Sequence, residues 1–337
     1  MGTIKKIALP EDISLKASQL FDPLGDIAPV EYLERGTQTF RNLRIYCGEK
    51  AADILTTQEN AATSPIFDFN NLFTYDGPQA LLLQGIPKGW ATSYFMLGIA
   101  SLMGDLETHK RDSAEKPGFN QILPITRTLK RIGKAERLHM DGEKNVELTD
   151  NERSFIMFGG ISPGKKRAPT AVASPLALRR NIGEDLYQEL KQKNFVGLSD
   201  QPAAIIETRH GSDCFVLASL KQINHIRGVN EKAQEALEAF QFERHHPEKY
   251  EGHILLEGEL LFIANDALLH GRGIGRLAGP SEVVSTDKES RSFFRHVTMR
   301  TPGTTPVEDR YRGVLLTTEE ICREIQSILM APPPLRI

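Results

Sequence analysis

The sequence is poor in cysteine and carries no strong excess of either charge. Its three cysteines, Cys47, Cys214 and Cys322, are far apart and form no Cys-x-x-Cys pair, so neither a disulfide framework nor a thiolate zinc site is indicated. The formal net charge of −3 argues against bulk binding of nucleic acid, which normally needs a basic surface. These absences favour a reducing compartment, and we expect the protein to be cytoplasmic.

Long apolar runs are also missing. No run approaches the ~20 residues of a membrane helix, and the segment Met1–Lys6 has no apolar core of the kind found in signal peptides. We therefore expect no membrane partner. A hydrophobic content of 40% and a charged content of 25% are ordinary for a globular protein, and 337 residues allow one large domain or two smaller ones.

The hydrophobic pattern changes along the chain. Residues 29–57 and 91–106 have helical periodicity, whereas Ala80–Gln84 is a short apolar run that predicts a buried strand. From Gln121 onward the pattern is one of short strands separated by long excursions, without the regular alternation of a doubly wound parallel sheet. It predicts an α+β chain, with an antiparallel sandwich or jelly roll and helices packed outside. The predicted strands are 121–125, 154–158, 203–207, 214–217, 253–256, 260–263 and 293–299, and the predicted helices among them are 185–193 and 231–243.

One apolar stretch, Glu259–Leu269, leads directly to His270 and predicts a buried strand that ends at a histidine. Histidine is a common metal ligand, and a strand end holds it rigidly. His139-x-Asp141 could supply two more ligands, because residues two apart on a strand face the same side. By itself this triplet is better explained by an exposed turn. Together with His270 it predicts a two-histidine, one-carboxylate triad, which leaves coordination positions of Fe(II) open for substrate and O₂.

A second strand pattern, Ser290–Arg300, places Arg291 and Arg295 on one face. A buried guanidinium is costly unless a carboxylate pairs with it, so two inward arginines would indicate carboxylate ligands. An exposed strand face with both arginines in water is an equally good explanation of this pattern alone.

These patterns together resemble the clavaminate synthase-like branch of the Fe(II)/2-oxoglutarate-dependent oxygenases, which is related to the taurine dioxygenase group. Leu261–Arg272 resembles that branch's strand, which ends in Asn, variable residues and His-Gly-Arg, and Pro169–Ser174 resembles its Gly-x-Thr-Thr-x-x-Ser segment. The resemblance extends from about Ala80 to Met299. It implies a single domain over 1–337 with a double-stranded β-helix, a cupin-like jelly roll, in 121–300. Mostly helical support is implied for 1–110, and lid insertions near 105–120 and 197–230.

The resemblance also implies roles for individual residues. His139, Asp141 and His270 would bind iron and form the catalytic centre, and Arg291 and Thr170 would hold the distal carboxylate of 2-oxoglutarate. Arg295 would hold the α-carboxylate of the substrate, although the long separation of Arg291 from His270 leaves Arg295 open as the co-substrate arginine.

The implied reaction consumes O₂ and converts 2-oxoglutarate to succinate and CO₂, while an unactivated C–H bond of a free amino acid or amino-acid-derived small molecule is hydroxylated. Retention of a carboxylate at Asp141 favours hydroxylation over halogenation. Desaturation or cyclisation in a natural-product pathway is the alternative chemistry.

Two alternatives from other classes stay open at this point. Gly159–Lys166 nearly matches a phosphate-binding GxxxxGK[ST] loop and would indicate a P-loop-like NTPase. However, a lysine replaces the required Ser or Thr, and Arg167-Ala168-Pro169 do not readily start the helix that would bind phosphate. The other alternative is a catalytically inactive jelly-roll binding module.

Overall fold

A computed structural model describes much of the chain. The described residues are 4–26, 37–56, 77–89, 91–103, 105–106, 124–126, 136–140, 155–160, 166–167, 169–197, 201–217, 224–273, 276–277, 290–292 and 298–299.

The helices lie mainly in two groups along the chain. The first group contains α1 (Glu11–Phe21), α2 (Thr37–Thr56) and α3 (Ala91–Met103), and the second contains α4 (Pro175–Ile182), α5 (Glu184–Leu190) and α6 (Glu231–Arg244). Short 3₁₀ helices follow α1 at Asp22–Asp26 and α6 at Pro247–Lys249. Among the described helices, none combines the length and the hydrophobicity needed to cross a bilayer.

The strands are short and spread over the whole chain. Their bounds are β1 (Ile4–Ala8), β2 (Ala80–Gln84), β3 (Asp105–Leu106), β4 (Pro124–Thr126), β5 (Phe155–Gly159), β6 (Lys166–Arg167), β7 (Thr170–Ala173), β8 (Phe195–Val196), β9 (Pro202–Ala203), β10 (Ile206–Arg209), β11 (Ser212–Phe215), β12 (Arg227–Gly228), β13 (Glu251–His253), β14 (Glu259–Ala264), β15 (Leu269–Arg272), β16 (Arg276–Leu277), β17 (Ser290–Ser292) and β18 (Thr298–Met299).

Two sheets organise the centre of the molecule. The larger has the order β1-β2-β14-β5, in which β1 and β2 are parallel and the other pairs are antiparallel. The smaller has the order β13-β7-β15, with both pairs antiparallel. Residues 1–110, predicted to be mostly helical support, therefore also contribute two strands, β1 and β2, to the larger sheet.

The two sheets pack face to face. Along β14, Leu261 and Ile263 belong to the same buried cluster as Val172 of β7, which lies in the other sheet. Alternate residues of β14, such as Leu260 and Phe262, point the opposite way because side chains on a strand alternate between faces. The buried cluster between the sheets comprises Ile4, Ala80, Leu82, Ile156, Phe158, Val172, Leu255, Leu261, Ile263 and Leu268.

Each sheet is covered on its outer face by one group of helices. Leu260 and Phe262 of the larger sheet share a cluster with the buried residues of α1, α2 and α3. Ala171 and Leu269 of the smaller sheet share another with residues of α4, α5 and α6. The result is four layers, helices, sheet, sheet and helices, as the pattern of antiparallel strands with outer helices predicts.

The apolar stretch 259–269 is not the single strand predicted for it. It forms β14 in the larger sheet and β15 in the smaller one, separated by a turn in which the N–H groups of Ala267 and Leu268 both donate to the carbonyl of Ala264. The turn formers Asn265 and Asp266 interrupt the strand although both are buried. His270 is consequently the second residue of a new strand and does not end the first.

Other boundaries differ by a few residues from the predicted ones. The helix predicted to reach residue 106 ends at Met103, and β3 follows it. The strand predicted at 253–256 lies at Glu251–His253. The helix predicted at 231–243 is confirmed as α6, whose Asn230 side chain caps it by accepting from the N–H of Ala233 at 2.8 Å.

Candidate metal centre

The backbone brings His139 and His270 together. They form an antiparallel bridge in which the N–H of His139 donates to the carbonyl of His270 at 2.8 Å, and the N–H of His270 donates to the carbonyl of His139 at 2.9 Å. Their ring centroids are 4.6 Å apart, and both residues are buried. Two histidines that are distant in the sequence are therefore neighbours, as a shared metal site requires.

A hydrogen bond to the backbone sets the tautomer of His139. Its Nδ1 lies 2.8 Å from the carbonyl oxygen of Arg137, and a carbonyl can only accept, so Nδ1 carries the proton and donates. The lone pair is then on Nε2, which is the nitrogen that can ligate a metal. Metal-binding histidines are commonly oriented in this way by a hydrogen bond at the second ring nitrogen.

His270 faces the space between the two sheets. The ring of Phe158, from the facing sheet, has its centroid 5.9 Å from that of His270. Val172 of β7 is the direct cross-strand partner of His270. Apolar neighbours of this kind exclude water from the pair of imidazoles and lower the local dielectric.

Gly271 permits the close approach of the two histidine-bearing segments. A Cβ at this position would lie 2.7 Å from the carbonyl oxygen of Glu136 and 3.0 Å from that of Arg137. Any side chain would therefore push β15 away from residues 136–139. Steric crowding thus accounts for the glycine at the centre of the His-Gly-Arg sequence.

Arg244, at the end of α6, holds the residue that precedes His139. Its Nε donates to the carbonyl of Leu138 at 2.7 Å, and its own carbonyl accepts from the N–H of Leu138 at 2.9 Å. Burial, together with the nearby positive charge of Arg137, lowers the pKa of Arg244 to about 10. Within the described residues, Nη2 of this buried guanidinium has no hydrogen-bond partner.

Thr170 lies in a polar row on the same face as His270. Across the smaller sheet, Thr170 pairs with Arg272 on one side and with His253 on the other. Arg272 is two residues beyond His270 on β15, so both side chains face the space between the sheets. The sequence did not single out Arg272 or His253 as site residues, although the alternation His270-x-Arg272 was a signal for the first.

A buried carboxylate, Glu259, ends this polar row. Its Oε2 accepts from Nε2 of His253 and from the N–H of Leu256, both at 2.8 Å, and its Oε1 accepts from Nε2 of Gln84 at 2.7 Å. Burial by itself raises the pKa of Glu259, but these hydrogen bonds outweigh it and hold the pKa below its ordinary value. The carboxylate therefore links β14 and β2 of the larger sheet to β13 of the smaller one.

The other predicted site residues are only partly covered by the structure. Asp141 and Arg295 lie outside the described residues. The backbone of Arg291 lies in β17, opposite Ile125 of β4. Within the described part of the chain, no group of three His, Cys, Asp or Glu residues is placed to hold a metal ion. The third ligand stays a prediction.

The phosphate-binding loop finds little support. Residues 161–165 lie outside the described ranges, and Lys166–Arg167 form β6, which pairs with β16. A phosphate-binding loop of this type leads directly into a helix, whereas the next helix among the described residues, α4, begins at Pro175 after two strands.

Comparison with solved structures identifies the fold. Asparagine oxygenase, in a complex with Fe(II), 2S,3S-3-hydroxyasparagine and succinate, matches with a TM-score of 0.54 at 15% identity, covering 87% of this chain and 92% of that chain. The non-heme iron oxygenase OrfP, in a complex with Fe and alpha-ketoglutaric acid, matches with a TM-score of 0.56 at 12% identity, covering 93% of this chain and 98% of that chain. This chain shares their fold.

The predicted resemblance to oxygenases of this group is thus confirmed at the level of the fold. A further OrfP structure, in a complex with Fe and L-Arg, matches with a TM-score of 0.55 at 12% identity, covering 93% of this chain and 98% of that chain. No protein-family model and no curated protein sequence matches the chain.

Proposed function

We propose that this protein is an Fe(II)/2-oxoglutarate-dependent oxygenase that hydroxylates an unactivated C–H bond of a free amino acid or a close derivative. The observation that carries the proposal is the pair of buried imidazoles, His139 and His270, which face the space between two sheets. The fold shared with asparagine oxygenase and OrfP supports the same chemistry.

The core fold under this proposal is a double-stranded β-helix, or jelly roll. Between β5 and β15 the chain crosses three times between the facing sheets, with β5 in the larger, β7 and β13 in the smaller, β14 in the larger and β15 in the smaller. Alternation of antiparallel strands between two packed sheets is typical of jelly rolls. The lid segments proposed near 105–120 and 197–230 would then lie outside this core.

The chemistry of the donor set fits iron. His139 presents Nε2 because its Nδ1 is held by the carbonyl of Arg137, and His270 is its bridge partner. Asp141, two residues beyond His139, completes the proposed triad if residues 139–141 continue as an extended strand. When bound together with 2-oxoglutarate and O₂, the iron supplies the oxidising chemistry that hydroxylates the substrate and yields succinate and CO₂.

The protein's own contributions are orientation and exclusion of water. Arg244 donates to the carbonyl of Leu138 and so fixes the segment before His139, and the carbonyl of Arg137 accepts from Nδ1 of His139 and so fixes its tautomer. Phe158 and Val172 keep the imidazoles in a largely apolar environment, which strengthens their interaction with a cation. Thr170 would donate its hydroxyl to the distal carboxylate of 2-oxoglutarate, with Arg291 as a second donor.

The substrate is proposed to be an amino acid. The asparagine oxygenase complex contains hydroxyasparagine, and an OrfP complex contains L-Arg. Arg295 would bind the α-carboxylate, because a guanidinium forms two parallel hydrogen bonds with a carboxylate.

The function can be tested with metal, co-substrate and a set of amino acids. Protein reconstituted anaerobically with Fe(II) should show a weak visible absorption band when 2-oxoglutarate is added, and one or more amino acids should then stimulate release of succinate in air. His139→Ala and His270→Ala should each abolish succinate release, while His246→Ala, a change at a partly exposed histidine paired with Glu248, should not. Absence of both iron binding and the absorption band in the unmodified protein would refute the proposal.

A further inference from the structure

We propose that a cleft beside α1 binds a small aliphatic zwitterion, a molecule with an ammonium at one end and a carboxylate at the other. The cleft lies at the margin of the larger sheet, between α1, the end of β2 and the turn that leads into β14, and it is called the α1 cleft below. Its volume of about 380 Å³ falls within the range of about 300–1,000 Å³ that is typical of small-molecule sites. The proposed site needs neither iron nor 2-oxoglutarate.

The α1 cleft is separate from the candidate metal centre. Gln84 and Glu259 line its inner end, where Nε2 of Gln84 donates to Oε1 of Glu259 at 2.7 Å. Oε2 of Glu259 also accepts from Nε2 of His253, in the smaller sheet, at 2.8 Å. Because these side chains are bonded to one another, they form a wall between the cleft and the space between the sheets. Neither His139 nor His270 is among the described residues that line the cleft.

Unmatched charges of both signs line the α1 cleft. Lys88 and Glu257 belong to the two segments that face α1 across it, and Asp22 follows the last turn of α1. Within the described ranges, none of these three charged groups has an ion-pair or hydrogen-bond partner. Burial raises the pKa of the Asp22 carboxyl, and no neighbouring positive charge among the described residues offsets this effect. Charges on an open surface need no partner because water solvates them, but these three line one cavity.

The stem of Lys88 is held against the turn at Gly258. A Cβ at Gly258 would lie 3.6 Å from Cγ and 3.9 Å from Cε of Lys88, so the aliphatic part of the lysine packs against this glycine. The turn itself is closed by the N–H of Glu259, which donates to the carbonyl of Leu256 at 3.2 Å. Lys88 is therefore the fixed cation of the cleft, and the carboxylate of the ligand is assigned to it.

The wall formed by α1 carries a polar row that suits the ammonium. Ser14, Ser18 and Asp22 are spaced by four residues and lie along one side of the helix over about 12 Å. The hydroxyl of Ser14 donates to the carbonyl of Gly85, whereas the hydroxyl of Ser18 has no partner among the residues that the structure describes. Ser18 and Asp22 are thus the groups of this wall that can accept from an ammonium.

Leu256 gives the α1 cleft an apolar part. Its side chain is 40% exposed, although most of the large apolar side chains in the described part of the chain are buried. A ligand whose charged ends are joined by methylene groups would remove this apolar surface from water, which favours binding. The chain of the zwitterion is therefore proposed to be aliphatic.

Calorimetric titration of the metal-free protein tests the inference. The probes are the ω-amino acids from 3-aminopropanoate to 6-aminohexanoate, which carry the same two charges at increasing separation. The diamine and the dicarboxylate of matching chain length are the comparison ligands. At least one amino acid of the series should bind with one molecule per protein and more tightly than both comparison ligands, because only the amino acid matches charges of both signs.

Substitutions on the two sides of the α1 cleft locate the ligand. Lys88→Gln and Asp22→Asn should each weaken binding of that amino acid by about 5-fold, the effect of losing one partly exposed charge pair. Lys5→Gln and Asp12→Asn are the matched controls, because they remove the same charges at exposed positions that do not line the cleft. Both controls should bind the amino acid as the unmodified protein does.

The inference is wrong if no member of the series binds, or if the diamine or the dicarboxylate binds as tightly as the best amino acid. It is also wrong if Lys88→Gln and Asp22→Asn bind that amino acid as tightly as their controls, because the ligand would then occupy another part of the protein. None of these outcomes bears on the proposed function, which is tested separately by iron binding and succinate release.

Discussion

At the scale of single residues, the candidate centre depends on groups that are not ligands. The tautomer of His139 is set by the carbonyl of Arg137, and the backbone of the preceding residue, Leu138, is held on both of its polar groups by Arg244. Such supporting contacts fix the direction in which a ligand nitrogen points, and their loss commonly weakens metal binding.

Arg244→Met is expected to weaken Fe(II) binding by about 10-fold, the usual lower bound for loss of a supporting contact. The change keeps the apolar part of the side chain but leaves the carbonyl of Leu138 without its donor, so the segment before His139 can shift. Anaerobic titration with Fe(II) measures the effect. Arg180→Met, at an exposed position on α4, is the matched control.

If Arg244 acts by positioning the segment before His139, Arg244→Met should change the binding of Fe(II) but not that of 2-oxoglutarate. The variant should bind 2-oxoglutarate normally once it is saturated with iron, because Arg244 lies on the helix-covered side of the smaller sheet and contacts Leu138, not the row containing Thr170. Unchanged affinity for Fe(II) in a folded variant would contradict the role.

At the scale of elements, the site depends on how closely β15 approaches the segment 136–139. Gly271→Ala places a methyl group 2.7 Å from the carbonyl oxygen of Glu136, and backbone cannot move aside as a flexible side chain can. We expect a loss of about 1–3 kcal/mol in the free energy of unfolding, typical of overpacking, together with weaker Fe(II) binding. Urea denaturation and metal titration measure the two effects.

Gly197→Ala is the control for this substitution. A Cβ at Gly197 would meet only Cγ1 of Ile226, at an ordinary 3.8 Å, and its backbone does not need a glycine. Both substitutions replace glycine with alanine, so they reduce the conformational entropy of the unfolded chain by the same amount. If Gly271→Ala and Gly197→Ala had the same stability and iron affinity, the close approach at Gly271 would have no functional consequence.

The elements also show how far the sequence could predict the structure. Periodicity predicted α6 and the buried strand Ala80–Gln84, because each pattern depends only on local spacing. It failed for 259–269, where apolar residues continue through a turn that is itself buried, so hydrophobicity did not mark the break. The bridge between His139 and His270 depends on register between distant segments, which no local pattern encodes. The pairing of these two histidines was predicted only because both are of a residue type that can ligate the same metal ion.

At the scale of the whole molecule, the two sheets are joined by polar contacts as well as by the apolar cluster between them. Glu259 is the central group, since it accepts from Gln84 in the larger sheet and from His253 in the smaller one. Its buried carboxylate is stabilised in the charged form, and its pKa lies below the ordinary value of 4.5. Its contribution to stability therefore depends on pH.

Glu259→Gln is expected to lower the free energy of unfolding near pH 7 by about 1–3 kcal/mol, the cost of disturbing a buried hydrogen-bonded group. Because the folded pKa is depressed, the contribution of Glu259 is complete above its unfolded pKa and is lost as pH falls through the folded pKa. The difference between the unmodified protein and the variant should thus shrink as the pH is lowered from 6 to 3.

Urea denaturation at a series of pH values measures this difference. Glu257→Gln, at an exposed neighbouring position, should leave the stability close to that of the unmodified protein throughout. The free energies of unfolding of Glu259→Gln and of the unmodified protein are compared at each pH. If their difference stays constant or grows on acidification, the charge of Glu259 does not stabilise the joined sheets.

The turn at Asn265–Leu268 has a consequence for how small molecules reach the centre. It carries the chain from one sheet to the other immediately before His270, and it is anchored where the N–H of Phe215 donates to the carbonyl of Asp266 at 2.8 Å. A short covalent tether therefore fixes the gap between the sheets beside His139 and His270. The sandwich cannot widen at that margin to admit a substrate, so a substrate has to enter at a different margin. Changes in substrate range are accordingly expected to arise away from the Asn265–Leu268 turn, with the paired histidines left in place.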